Sequence, residues 1–214
     1  MKYIQNIEDE AEAIKQTYDV LYYIKPLGSI NLITTPRYIA IDLGLPSGLK
    51  WANMNIRAEK ETDYGMYFKF GDVVGHDAQN CNHDTSIPPI EIDGNKHLLP
   101  AYDAATQFMG AAYRMPTNEE CAELINNTDH AVMTIEGVSG MRYSKKGDAN
   151  TYIFVPFAGY CYSGSFGLAG SRGYLWGSTL GGDGGAYRLS CDNVGLTSTN
   201  SVSRDRGFSV RGVC

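Results

Sequence analysis

Tyr113-Arg114-Met115-Pro116-Thr117-Asn118-Glu119-Glu120-Cys121-Ala122-Glu123 is the stretch on which the fold turns. Pro116 presets the backbone for a first helical turn, and Thr117 or Asn118 supplies an N-cap oxygen. Glu119, Glu120 and Glu123 then place negative charge at the positive end of the helix. Upstream, Tyr102 to Met109 reads as a second helix. Downstream the pattern changes to short apolar runs, predicting strands over Ala131 to Ile135, Met141 to Ser144, Ile153 to Phe157, Gly185 to Ser190 and Phe208 to Val213. Two helices followed by an irregular β region give an α+β class. Thirteen of the 24 glycines fall between Gly159 and Cys214, so large loops hang on few strands, an arrangement in which loops carry function.

Working outward, Tyr38 to Leu43 reads as a strand, Pro46-Ser47-Gly48 as a turn before Lys50-Trp51-Ala52, and His76 to Gly94 as a long polar surface loop. Residues 38–214 therefore form the main domain. Ahead of it, Ile7, Ala11, Ile14, Tyr18, Leu21 and Tyr22 recur at helical spacing over Ile7 to Tyr23. Pro26-Leu27-Gly28 breaks that pattern, and a short β run from Ser29 to Thr35 stops at Pro36. Residues 1–37 read as an appendage whose apolar stripe is buried against the domain or against sister subunits, predicting a homo-oligomer, most simply a trimer.

The 214 residues are 43 % hydrophobic and 20 % charged, with a formal charge of −6, as expected of a globular chain with a proper core. No dense basic patch interleaved with aromatics is present, so no nucleic-acid partner is expected. No apolar run approaches the length of a membrane span, and Met1 to Glu12 is acidic where a signal peptide needs an apolar core. The chain is expected to be made in a reducing cytoplasm and exposed later by lysis or particle assembly. Five cysteines (Cys81, Cys121, Cys161, Cys191, Cys214) at wide, unpatterned spacing suggest neither a zinc site nor a disulfide framework.

From Gly147 to Cys214 the chain contains no Lys, Glu, Gln or Met, although the first 146 residues hold 30 of them; at that frequency roughly 14 are expected in the last 68. The segment is no filler, since it keeps Trp176 and the run Tyr152-Ile153-Phe154-Val155. Codons with free first and second bases and a pyrimidine in third place encode Ser, Gly, Asn, Asp, Arg, Tyr, Leu, Thr and Cys, but none of the missing four. That is the expected imprint of adenine-targeted mutagenesis of a binding surface. A turn-rich β segment is also poor in helix-formers for ordinary reasons, which stands as the alternative.

Ile41-Asp42-Leu43-Gly44-Leu45-Pro46-Ser47-Gly48-Leu49-Lys50-Trp51-Ala52, Tyr64-Gly65-Met66-Tyr67-Phe68, Tyr102-Asp103-Ala104-Ala105, Tyr113 to Glu120, Gly173-Tyr174-Leu175-Trp176-Gly177-Ser178-Thr179 and Gly207 to Val213 together resemble the major paralogous domain of Bacteroidetes proteins. The Tyr113 to Glu120 region is also similar to the Arg-Leu-Pro-Thr-x-x-Glu-Trp signature of formylglycine-generating-enzyme-like domains. The branch that the chain resembles most is the variable proteins of diversity-generating retroelements. The resemblance covers roughly residues 38 to 213 and implies a C-type-lectin-like fold with its terminal strands close together. It also implies a variable region over about 159 to 207 and the role of a phage-tail adhesin contacting a protein or glycan receptor on a bacterial surface. The alternative is a constant Bacteroidetes surface or structural adhesion domain without diversification.

Catalysis is not expected. Cys161 and Cys191 lack a flanking His, Lys or second Cys to activate a thiolate, and no catalytic residue, cofactor or metal is assigned. The cluster His76, Asp77, Cys81, His83 and Asp84 fits no zinc spacing. Gly181-Gly182-Asp183-Gly184-Gly185 lacks the Lys of a phosphate loop. The expected binding face comprises Cys161, Ser163, Phe166, Gly167, Leu168 and Arg172 in one loop. Leu175, Gly177, Leu180, Gly181 and Asp183 follow around the Trp176 strand. Arg188, Ser190, Asp192, Thr199, Asn200, Ser201, Ser203, Arg204, Asp205 and Arg206 complete it in the last hairpin and loop. Over Ala186 to Asp192 a period of two predicts Arg188, Ser190 and Asp192 outward. Trp176 is expected beneath the loops, beside Tyr160, Tyr174 and Phe208.

Overall fold

The computed structural model describes residues 20–24, 30–34, 38–77 and 85–214. The chain divides into two compact units, Met1–Arg37 and Tyr38–Cys214. In the first unit, β1 (Val20–Ile24) pairs antiparallel with β2 (Ile30–Thr34), Tyr22 opposite Leu32. The expected strand before Pro36 is therefore present. The end of the helix expected over Ile7 to Tyr23 is instead a strand, because Val20-Leu21-Tyr22-Tyr23-Ile24 is a β-branched and aromatic run with a partner to pair with. The remainder of that helix, residues 7–19, lies outside the described residues.

The second unit is α+β, mostly sheet with two helices. It opens with β3 (Ala40–Ile41), β4 (Trp51–Ala52) and β5 (Tyr67–Phe68). A 3-10 turn over Pro100–Tyr102 then leads into α1 (Ala104–Met109), and α2 (Asn118–Asn127) follows. A meander comes next, β6 (Thr128–Ile135), β7 (Val138–Lys145) and β8 (Asp148–Pro156). A small hairpin pairs β9 (Tyr160–Tyr162) with β10 (Ser165–Gly167). The central sheet has the order β13-β12-β11-β14-β5, with β11 (Arg172–Leu180), β12 (Ala186–Asp192), β13 (Thr197–Val202) and β14 (Phe208–Ser209). Strand β14 runs parallel to β11; the other neighbours are antiparallel.

Local chemistry sets both helix starts. The Asp103 carboxylate accepts from Thr106 N at 2.9 Å, capping α1, and from Met115 N at 2.8 Å, tying that helix to the segment entering α2. Thr117 and Glu120 form the reciprocal capping box of α2: Glu120 N donates to Thr117 Oγ1 at 3.3 Å and Thr117 N to a Glu120 oxygen at 2.8 Å. Arg114 then clamps the Glu120 carboxylate through both terminal nitrogens. The hairpin β6–β7 turns on Glu136-Gly137, both at positive φ, as a type I′ turn requires.

At the centre of this sheet β11 is buried on both faces. Leu175, Leu189 and Cys191 pack with Trp51, Leu124, Tyr143, Val155 and Phe157 on one side. Tyr174, Trp176 and Ala186 pack with Phe68, Phe70, Met115 and Phe208 on the other. The two ends of this unit meet: Lys50 and Cys214 exchange backbone hydrogen bonds at 3.0 Å each, and Val213 bridges both Trp51 and Arg114.

Candidate functional site

Residues directly opposite in an antiparallel sheet share a face. Arg172 stands opposite Asp192, Tyr174 opposite Ser190, and Trp176 opposite Arg188. One strand further out, Ser190 stands opposite Ser198 and Arg188 opposite Asn200. That face is therefore aromatic towards its centre and polar towards the β13 edge. Trp176 forms its floor. It is fully buried, 4.6 Å from the Phe208 ring centroid and 5.6 Å from Phe70, and its Nε1 donates to Phe68 O at 2.8 Å. Tyr174 follows, 4.9 Å from Phe208 and 6.4 Å from Tyr160. Of the neighbours expected of Trp176, Phe208 is in ring contact with it, and Tyr174 and Tyr160 belong to the same cluster.

Above this floor lies a cleft of about 430 Å³, lined by Tyr160, Leu168, Tyr174, Arg188, Val202, Ser203, Arg206 and Phe208. Two guanidinium groups stand in it on aromatic supports. Arg188 lies 4.0 Å from the Tyr174 ring centroid and 4.9 Å from that of Phe208, while Arg206 lies 5.3 Å from Tyr160 and 5.2 Å from Tyr162. Such contacts are worth roughly 0.5–2 kcal/mol each, and they hold long side chains in fixed orientation. Burial lowers the Arg188 pKa, Tyr174 opposes that shift, and Arg206 and Arg172 add to it by like-charge repulsion. Arg188 Nε is buried without a hydrogen-bond partner. Among the described residues no carboxylate lines the cleft.

The structure brings Leu168, Arg188, Ser203 and Arg206 together around the cleft, with Ser190 and Asn200 on the same sheet face. Arg172 is exposed on that face, and its pKa is raised by interaction with Tyr174 and, as a smaller cause, by the charge of Asp192 opposite it. The alternation expected in β12 holds for Leu189 and Cys191 inward and for Arg188, Ser190 and Asp192 on the other side.

Several expected face residues are corrected. Leu175 and Gly177 are buried because β11 is covered on both faces. A Cβ at Gly177 would lie 3.0 Å from Pro116 O and 3.3 Å from Tyr187 O, so that position has no room to vary. Leu180 packs at the margin of the aromatic core. Gly167 is backed by Tyr160, whose ring a Cβ would meet at 2.6 Å. Cys161 is fully buried and disulfide-bonded, which corrects the expectation of no disulfide; the partner of a lone, widely spaced cysteine is decided only by folding. Cys191 is a small core hydrophobe: its Sγ faces Gly173 O at 3.7 Å, and burial pushes its thiol up to about 12.

Other residues are committed to local structure. Ser163 and Gly164, both at positive φ, make the tight turn of the β9–β10 hairpin. Asp183 Oδ1 accepts from Gly185 N at 3.0 Å and Ser201 Oγ at 2.9 Å, closing the β11–β12 turn. Asp192 Oδ1 accepts from Val194 N and Leu196 N, closing the β12–β13 turn. Arg204 donates to Pro88 O at 2.6 Å and lies over Phe70. Asp205 is partly buried, with Oδ1 unpartnered. Phe166, half-exposed, packs edge-on against buried Tyr67 at 4.7 Å.

Sequence reasoning missed Val202 as a lining residue and placed Tyr160, Tyr174 and Phe208 only beneath the loops. It also missed Val194 and Leu196, an apolar pair 76 % and 68 % exposed at the β12–β13 tip. Of the metal-like cluster, Cys81, His83 and Asp84 lie outside the described residues. Among the described residues no group of three His, Cys, Asp or Glu side chains is placed to hold a metal, and no helix is long and apolar enough to cross a membrane. A second cleft of about 290 Å³ beside α1 includes Asp93, His97, Asp103 and Arg114, but Asp103 and Arg114 there are already committed to the helix caps. No protein-family model matches the chain, and no curated protein or solved structure matches it.

Proposed function

We propose that this chain is a receptor-binding protein whose C-terminal face is diversified, built on a C-type-lectin-like scaffold and acting as a phage-tail adhesin towards a bacterial surface. The observation that carries this reading is a coincidence of composition and geometry. Every residue lining the aromatic and arginine cleft comes from 160–208, inside the segment that contains no Lys, Glu, Gln or Met. An ordinary deficit of helix-formers has no reason to coincide with a cleft. The meeting of Lys50 with Cys214 supports the lectin-like reading, since it brings both ends of the domain to one place. The exposed residues Val194 and Leu196 offer further apolar contact area at the β12–β13 tip.

The N-terminal unit supplies valency in this reading. A lone two-stranded hairpin is marginally stable in water, so β1–β2 needs a surface to pack on, and sister copies provide one. A trimer would present three faces and convert weak single contacts into avidity.

Sequencing the DNA around the gene tests the proposal. A reverse transcriptase and a near-identical template repeat covering about residues 159 to 207 are expected. The template should carry adenines at the Arg172, Arg188, Asn200, Ser203 and Arg206 codons, each ending in a pyrimidine. Purine third bases at those codons, or no template, would remove the diversification claim.

A further inference from the structure

The receptor-binding reading leaves the chemistry of the receptor open, and the cleft is specific enough to narrow it. Its two cations are planar guanidinium groups rather than ammonium points, each held over aromatic rings, and a fixed fork of this kind suits a carboxylate held by paired hydrogen bonds. Arg172 has Asp192 opposite it, whereas Arg188 and Arg206 share a lining with no acidic residue among the described ones. The buried Nε of Arg188 lacks any acceptor.

The surroundings separate the anions. Phosphate sites are usually cradled by a helix N-terminus or a nest of backbone N–H groups; this lining is made of strands and loops and has no helix. A protein epitope of ordinary size needs about 800 Å² on each partner, while the cleft is a half-open space of about 430 Å³, nearer one ring than a chain. Around the two cations stand uncharged hydroxyls and an amide: Ser203 in the lining and Ser190, Ser198 and Asn200 on the same face. Such groups exchange hydrogen bonds with sugar hydroxyls.

We propose that the cleft binds an acidic sugar, with Arg188 and Arg206 gripping its carboxylate and the serine and asparagine groups meeting its hydroxyls; this rests on the receptor-binding reading above and names the receptor class as an acidic surface glycan.

The test is titration of the ¹⁵N-labelled full-length protein with glucuronate and with N-acetylneuraminate, followed through the arginine Nε–H signals. Glucose, N-acetylglucosamine, inorganic phosphate and a hexaglutamate peptide are run in parallel. Both acidic sugars should shift the Arg188 and Arg206 signals. The neutral sugars, phosphate and peptide should bind at least about tenfold more weakly. Arg206→Gln should weaken acidic-sugar binding about tenfold or more while keeping the amide spectrum of a folded domain, and Arg188→Gln should do the same; Lys50→Gln, exposed and outside the cleft lining, should bind as the parent does. Equal binding of neutral sugars would overturn the proposal, as would tighter binding of phosphate or peptide, or unchanged binding by both arginine variants. If no acidic sugar binds but Arg206→Gln abolishes attachment to host cells, this inference falls and the receptor-binding reading stands. If acidic sugars bind and the flanking DNA holds no template repeat, the inference stands and diversification falls.

Discussion

Replacing Trp176 separates scaffold from face. The indole is fully buried between Phe70 and Phe208, and its Nε1 donates to the Phe68 carbonyl at 2.8 Å. Trp176→Ala removes the ring and leaves a cavity under the cleft, a change that costs about 3–5 kcal/mol. Trp176→Phe keeps much of the ring but deprives the Phe68 carbonyl of its indole donor, which costs about 1–3 kcal/mol when the group stays buried. For a domain of this size each kcal/mol lowers Tm by roughly 2–4 °C, so the alanine variant should melt roughly 6–20 °C below the parent, with the phenylalanine variant between. The comparator is a triple change on the exposed face, Arg172→Ser, Asn200→Lys and Ser203→Asn, each expected to stay within about 0.5 kcal/mol. Circular dichroism melts of the four proteins decide it. A triple variant that loses as much as Trp176→Ala would mean that the face is part of the core, and an alanine variant within about 3 °C of the parent would refute the supporting role of the indole.

Gly177→Ala should destabilise by about 1–3 kcal/mol, because its Cβ meets Pro116 O at 3.0 Å with backbone on both sides; an unchanged denaturation midpoint would reopen the position to variation. Glu120→Gln should cost about 1 kcal/mol at neutral pH through the weakened capping box. Burial raises the Glu120 pKa, yet hydrogen bonds from Arg114 and Thr117 outweigh it, leaving the folded value below 4.5. A depressed carboxylate pKa stabilises the fold above the unfolded value and loses that stabilisation as pH falls through the folded value, so the parent's advantage over Glu120→Gln should shrink between pH 5 and about pH 3 in urea titrations; a gap that stays constant contradicts this. Val194→Ser with Leu196→Ser should leave Tm nearly unchanged and weaken attachment to host cells, and attachment at parental strength would remove the tip from the binding face. Light scattering of the full chain should give a trimer and of a chain starting at Arg37 a monomer; a monomeric full chain would end the avidity argument.

How far the sequence could be read followed the range of the interactions involved. The start of α2 was legible because Thr117 and Glu120 are three residues apart and cap each other. Trp176 was legible as scaffold, and β12 gave up its alternation because one of its sides is open. β11 did not. Leu175 and Trp176 point to opposite faces and both are buried, since one face is covered by Leu124, Tyr143 and Val155 and the other by Phe70 and Phe208; a period of two cannot announce that its second face has been roofed over by distant segments. The cleft was illegible for the same reason, its walls being drawn from β9, the turn at Leu168, four strands of the central sheet and the loop before β14. Composition marks a whole segment, while packing decides which of its positions are free to change. In the depleted region Leu175, Gly177, Leu189 and Cys191 are held by the core, and Asp183 and Asp192 by turns. If this surface is diversified, changes must therefore be sparse: Arg172 alone at the start of β11, every second residue of β12 and β13 on the face of Arg188, Ser190, Ser198 and Asn200, then Ser203 and Arg206 in the loop that follows. A template repeat whose adenines instead fell evenly along both registers would spoil the core in most variants, so the spacing of its adenines should follow the pleat of the sheet.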